Sequence, residues 1–308
     1  MMRVAWLLVA ACSARPPPTT PPPAPAPAER ACAEALPALA NEHTRNVTRT
    51  YVAEVAFVAG ALKVGAFAPV TTKHGFVNQP AFTADGVYFA WRPEGSQADI
   101  YFRDLRTGAE RAVTCSAEEE YAPAVTSDGL VVLRVERDLA RRLVRLDANG
   151  HVRDAVFPGV ANIGAFLWID EAHVALLITD AGSSQLAIGD PRSSAVEKVA
   201  DGVSGALAVV PGAHAITYVD IAGEQPLLMR FDLDTKAKTP LVVLPEGADK
   251  AASLPDGSVL AGRGKQLVRA AAGSAAWQPI ADLGPAIEGT ITRVIVTGER
   301  IAVVTKLD

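Results

Sequence analysis

Residues 79–91 read Gln79-Pro80-Ala81-Phe82-Thr83-Ala84-Asp85-Gly86-Val87-Tyr88-Phe89-Ala90-Trp91. Two β-prone runs flank an Asp-Gly pair, the pattern of two antiparallel strands joined by a tight hairpin. The unit returns as Ala122-Pro123-Ala124-Val125-Thr126-Ser127-Asp128-Gly129 ahead of Leu130-Val131-Val132-Leu133. Weaker copies are Ala165 to Glu171, Leu207 to Gly212, Ala252 to Gly257 and Val294 to Gly298.

The turns fall at positions 85, 128, 170, 212, 256 and 298, spaced by 42 to 44 residues. A repeat of that length is what a blade of four strands requires. The expected fold is therefore all-β, a six-bladed β-propeller over residues 51–308.

The second half of each unit repeats too. Asp99-Ile100-Tyr101-Phe102-Arg103-Asp104-Leu105-Arg106-Thr107-Gly108 reads as a third strand running into a polar turn, with a fourth strand over Glu110 to Thr114. Asp147, Asp190 and Asp232 hold the same turn position, and each is expected to accept hydrogen bonds from its own turn backbone. The chain ends on two strands, Ile291 to Val296 and Arg300 to Lys306, and the repeat region opens on two more, Tyr51 to Val58 and Ala61 to Val70. Joining them makes one composite blade and removes the open sheet edges that invite aggregation.

Pro80, Phe82, Asp85, Gly86, Asp99, Ile100, Tyr101, Asp104 and Gly108 together resemble the TolB-like propeller repeat. That resemblance implies the propeller fold and a bacterial envelope compartment. It is weak for function, since one scaffold hosts many activities.

The N-terminus fits the same compartment. Met1-Met2-Arg3 leads into an apolar run ending in Val9-Ala10-Ala11-Cys12. That layout reads as a signal peptide over residues 1–11. Its end resembles the bacterial lipobox, which implies lipidation at Cys12. Residues 12–28 form the lipidated Cys and a Pro-rich linker. Eight of the twelve residues from Pro16 to Pro27 are proline. In extended polyproline II at ~3.1 Å per residue they span roughly 37 Å. Residues 29–50 are a short lead-in with one helix expected over Ala31 to Asn41. The expected location is a lipid anchor in the outer membrane, facing the periplasm.

Composition narrows the function. At 49% hydrophobic and 20% charged the chain can bury a large core, and a net charge of −5 gives no electrostatic basis for a nucleic-acid partner. There is no GxSxG, no P-loop and no GxGxxG opening a helix. Cys12, Cys32 and Cys115 match no zinc spacing, and the five histidines are scattered singly. No catalytic residue, metal ligand or cofactor is assigned. Whether Cys32 pairs with Cys115 is left open.

Function is expected at the channel mouth, where the chain enters each innermost strand. The expected binding residues are Asn78, Gln79, Glu118, Glu120 and Tyr121, with Asn162, Ser204 and Lys250 from later blades. The Glu118-Glu119-Glu120 run is read either as solvated surface or as the acidic wall of a polar mouth. The expected function is non-catalytic binding of an envelope protein or glycan by a monomer held to the membrane through its lipid alone. The alternative is a propeller hydrolase or lyase with a carboxylate or metal site at the mouth.

Overall fold

The computed structural model describes residues 47–58, 61–94, 96–180 and 182–307. The signal segment, Cys12, the Pro-rich linker, the Ala31 to Asn41 helix and Cys32 lie outside the described residues. Those described are all-β, with strands and turns and no helix.

The chain opens with β1 (Thr48–Val58), β2 (Ala61–Val64) and β3 (Ala68–Pro69). A first run of four follows: β4 (Phe76–Phe82), β5 (Gly86–Arg92), β6 (Asp99–Asp104) and β7 (Glu110–Ala112). The second is β8 (Glu119–Thr126), β9 (Gly129–Val135), β10 (Arg141–Leu146) and β11 (Val152–Ala155). The third is β12 (Ile163–Trp168), β13 (Val174–Asp180), β14 (Ser183–Gly189) and β15 (Val196–Asp201). The fourth is β16 (Val203–Val209), β17 (Ala215–Asp220), β18 (Leu227–Asp232) and β19 (Lys238–Val243). The fifth is β20 (Ala252–Ser253), β21 (Val259–Arg263), β22 (Gln266–Ala270) and β23 (Trp277–Asp282). The chain ends on β24 (Thr290–Thr297) and β25 (Arg300–Lys306).

The second to fifth runs are separate four-stranded antiparallel sheets. β4 to β7 belong to a nine-stranded sheet with β24, β25 and β1 to β3, and the two parts meet through a single parallel pair, Thr48↔Phe76. Within the second part, the N-terminal β1 pairs antiparallel with the C-terminal β25 over seven residues, from Thr48↔Lys306 to Glu54↔Arg300.

Each sheet buries apolar side chains against its neighbours, many of them from its second and third strands. Ala90 and Ile100 meet Val132 and Val144. Ala175 and Leu186 meet Ile216 and Phe231. Leu260 and Leu267 meet Val294, Ile301 and Tyr51, which closes the series on β1. Small residues let the sheets approach. A Cβ on Gly262 would lie 2.3 Å from Ile291 Cγ2 of the next sheet. The polar turns close as expected. Asp104 accepts from the Arg106 and Thr107 amides, Asp147 from Asn149 and His151, and Asp190 from Arg192.

One irregularity recurs. The first strand of a sheet breaks register against its neighbour between Asn78 and Ala81, Tyr121 and Ala124, Ile163 and Ala165, Ser204 and Ala208, and Ile291 and Arg293. Gln79 and Ala122 take positive φ of 56° and 47° there, and Asn162, just ahead of its break, takes 59°. Such bulges bend a strand and re-aim its side chains. Here they turn the entry of each inner strand toward a common centre.

Candidate functional site

That centre holds a cavity of about 270 Å³ lined by residues of β4, β8, β12 and β24 together with Thr48, Asp249 and the ends of neighbouring strands. Its wall carries four cations, Arg92, Arg141, Arg293 and Lys306, and one carboxylate, Asp249. A second cavity of about 350 Å³ shares Asp249 and Arg293 with it and adds Lys250 and Ser204.

The cations are held in different ways. Arg92, 4% exposed, ends β5; its guanidinium lies 5.0 Å from the Phe76 ring centroid and donates to Tyr121 Oη at 3.3 Å. Tyr121 in turn donates to Glu119 Oε2 at 2.8 Å. Burial and the Glu119 charge raise the Tyr121 phenol, so it stays protonated as this donor. Arg141 donates to Thr179 Oγ1 at 2.6 Å. Segment 249–250 is strapped to β24, with the Asp249 and Lys250 amides both donating to the Thr292 carbonyl. The strap sets Lys250 beside Arg293 in a parallel bridge.

Among the described residues, no carboxylate oxygen lies within the 4.0 Å ion-pair distance of Arg141, Lys250, Arg293 or Lys306. Burial, and then the Arg293 charge, push the Lys250 ammonium down to about 8. Burial also lowers Arg293, opposed by Asp249.

Of the residues expected from sequence, Asn78, Gln79 and Tyr121 line the central cavity. Asn78 Oδ1 accepts from the Gln79 amide, and Gln79 Oε1 accepts from the Ala122 amide of the next sheet, at 2.7 and 2.9 Å. Glu118 and Glu120 are not among the lining residues. Glu118 pairs with Arg134 at 2.6 Å and Arg137 at 3.4 Å. The triple-Glu run is not a solvated loop: Glu119 and Glu120 begin β8 and are 0% and 1% exposed. Glu120 accepts from Ser116 Oγ. Burial pushes its carboxyl up to about 8, against the Ser116 hydrogen bond and with help from the Asp99 charge. Ser204 and Lys250 stand at the second cavity.

Sequence reasoning passed over Arg92, Arg141, Arg293 and Lys306. They share no motif and span more than two hundred residues. The signal lay in blade alignment, since Arg92 and Lys306 each end the strand that follows the first strand of their unit.

No protein-family model matches the chain, and no curated protein matches it in sequence. Solved structures do. A putative TolB from Agrobacterium tumefaciens aligns with TM-score 0.62 at 11% identity, over 85% of this chain and 99% of that one. A gluconolactonase from Xanthomonas campestris aligns with TM-score 0.61 at 13% identity, over 89% and 97%. A chain of a nidogen/laminin complex aligns with TM-score 0.53 at 12% identity, over 73% and 89%. The fold is a β-propeller. At these identities the likeness carries the architecture alone, and these propellers include both an enzyme and a component of a binding complex.

Proposed function

We propose that this propeller has six blades, and that it binds an anionic group of a protein or glycan partner in its central cavity without transforming it. The blade count rests on four separate four-stranded sheets plus a nine-stranded one whose two parts touch at a single residue pair. The reading of function rests on one observation: among the described residues, Arg141, Arg293 and Lys306 line the central cavity and Lys250 the adjoining one, none of them in an ion pair and with Asp249 the one carboxylate on either wall. Partly buried cations that outnumber their one nearby carboxylate oppose folding, and a bound carboxylate or phosphate would relieve them. Guanidinium groups suit such acceptors, because their planar fork donates in pairs. A cavity this size takes one sugar unit or one acidic side chain rather than a whole domain.

Placement in the bacterial envelope, through lipid on Cys12, belongs to the same proposal. It is supported by the leader pattern and by Cys115, which is disulfide-bonded. Disulfides persist in oxidising compartments. The chain's other cysteines, Cys12 and Cys32, both lie outside the described residues.

The test is calorimetric titration with glucuronate, a glutamate-rich peptide and neutral glucose. Binding of either acid, weakened about tenfold by R293A (about 1.4 kcal/mol), is the expected result. Equal behaviour of glucuronate and glucose, or indifference to both R141A and R293A, would reject it. Release of a new product from the bound acid would replace binding by catalysis.

A further inference from the structure

At the other end of the inner strands lies a different constellation. Asp170 sits in the β12–β13 turn, His173 just before β13, His214 in the β16–β17 turn and Asp234 in the β18–β19 turn. Asp170 is six residues along the chain from Gly164, which lines the central cavity, so the cluster stands roughly 20 Å from it at ~3.3 Å per strand residue. Asp170, His173 and His214 each bring one nitrogen or carboxylate oxygen to within 4.8 Å of the others. We propose that Asp170, His173 and His214 bind a zinc-class divalent cation that clamps two neighbouring blades together.

The hydrogen-bond pattern favours a cation at this point. His214 Nδ1 lies 2.7 Å from Asp234 Oδ1, and its Nε2 lies 3.1 Å from Asp170 Oδ2. A neutral imidazole has one N–H. The shorter contact takes it, leaving the Nε2 lone pair facing a carboxylate lone pair. Something positive must stand between them, a second proton or a metal ion. His173 Nδ1 lies 3.0 Å from Asp170 Oδ1 and 3.1 Å from the same Oδ2 that His214 faces, and the two rings are 5.0 Å apart. The Ala172 amide donates to Asp170 Oδ1 at 2.7 Å and fixes that carboxylate in place.

The donor set suits zinc: two imidazole nitrogens and one carboxylate oxygen, with a fourth position open to water. Bonds of ~2.0–2.1 Å in a tetrahedron put neighbouring ligand atoms about 3.3 Å apart. Both nitrogens lie 3.1 Å from Asp170 Oδ2, close to that spacing, and all three ligand atoms lie within 4.8 Å of one another. Asp234 then orients His214 from behind, as outer carboxylates do for metal-bound imidazoles. Both His173 and His214 are about one-third exposed, so an ion can enter from solvent.

The experiment uses the full chain, purified without a histidine tag and freed of metal by chelation. It is titrated with zinc chloride by calorimetry, and with cobalt(II) by visible absorption. The expected result is one zinc per chain at micromolar affinity, a rise in melting temperature with zinc, and a tetrahedral cobalt spectrum. H214A and D170N should each weaken zinc binding at least tenfold, and D234N about tenfold through lost orientation. H173Q, which keeps a polar side chain on the exposed turn, guards against a folding defect and should weaken binding as H173A does. No zinc binding at 100 μM (about the upper end of a specific site), or binding unchanged in H173Q and H214A, would overturn the proposal.

Discussion

Lys250, which lines the second cavity, and Arg293, which lines both, stand side by side through a parallel β-bridge, with no carboxylate within 4.0 Å of either among the described residues. Two cations so placed raise each other's energy. Because the Lys250 ammonium is held down to about 8, it is charged at neutral pH and loses its charge just above. An anion binds the charged form. Affinity for glucuronate should therefore be strongest below about pH 7 and fall as the pH rises through 8. In K250M the profile should flatten over that range, with affinity lowered about tenfold at pH 7 (about 1.4 kcal/mol). Calorimetry at pH 6.5 and pH 9 checks both; a wild-type profile as flat as the variant's would remove Lys250 from the site.

What sequence made legible was periodic, and what it hid was convergent. The Asp-Gly hairpins and the acidic turns are local chemistry, so Asp85, Asp128, Asp104 and Asp147 could be placed by spacing alone. The bulge that turns Gln79 and Ala122 to positive φ leaves no fixed residue type, so what it aims at the centre could only be inferred strand by strand. That guess found Asn78, Gln79 and Tyr121 but followed the visible charge run at Glu118 to Glu120. Those acids belong to a buried cluster with Arg134, Ser116 and Asp99, while the charge at the cavity comes from single Arg and Lys residues on separate blades. His173 and His214 were hidden likewise: 41 residues apart in the chain, about one repeat, they meet only once neighbouring blades stack.

The buried Glu120 makes stability pH-dependent in an unusual direction. Its folded-state carboxyl is raised to about 8 from an ordinary 4.5, mainly by burial, and Asp99 beside it is raised to about 6 for the same reason. Between those limits the folded protein holds protons that the unfolded chain releases. Unfolding free energy therefore falls as pH rises from about 4.5 to about 8, by an amount on the order of a few kcal/mol. E120Q, uncharged throughout, should lose most of that slope and be the more stable protein at pH 8. Thermal melts of both at pH 5 and pH 8 decide it; parallel slopes would place the Glu120 titration elsewhere.

Closure of the ring runs through β25, which pairs with β24 on one side and β1 on the other. Arg300 adds a link across the seam, donating to the Thr83 and Ala84 carbonyls at 2.5 and 2.7 Å. Removing residues 299–308 strips β1 of its seven-residue partner and bares an apolar edge. The truncated chain should lose cooperative unfolding and aggregate. R300A, which spares the strand, should lower stability by about 1–2 kcal/mol. Denaturant melts with light scattering check both, and an undisturbed melt for the truncated chain would contradict a sealed ring.

Gly262 shows how tightly neighbouring blades are pressed. It lies in β21, where an added Cβ would meet Ile291 Cγ2 at 2.3 Å, Ile291 Cβ at 2.6 Å and the Ile291 carbonyl at 2.9 Å. No φ constraint is involved, so the restriction is one of contact alone. Ile291 is fully buried on β24 and cannot swing away. G262A should destabilise by about 1–3 kcal/mol, the usual range for overpacking. I291A alone leaves a cavity and should cost about 2–5 kcal/mol. I291A removes only the Cγ2 contact and leaves the Cβ at 2.6 Å and the carbonyl at 2.9 Å, so G262A in that background should cost less than in the wild type yet still destabilise. A double-mutant cycle measured by denaturant melts gives the coupling directly. Strict additivity would mean that the sheets relax apart at this point, and that their spacing is set elsewhere.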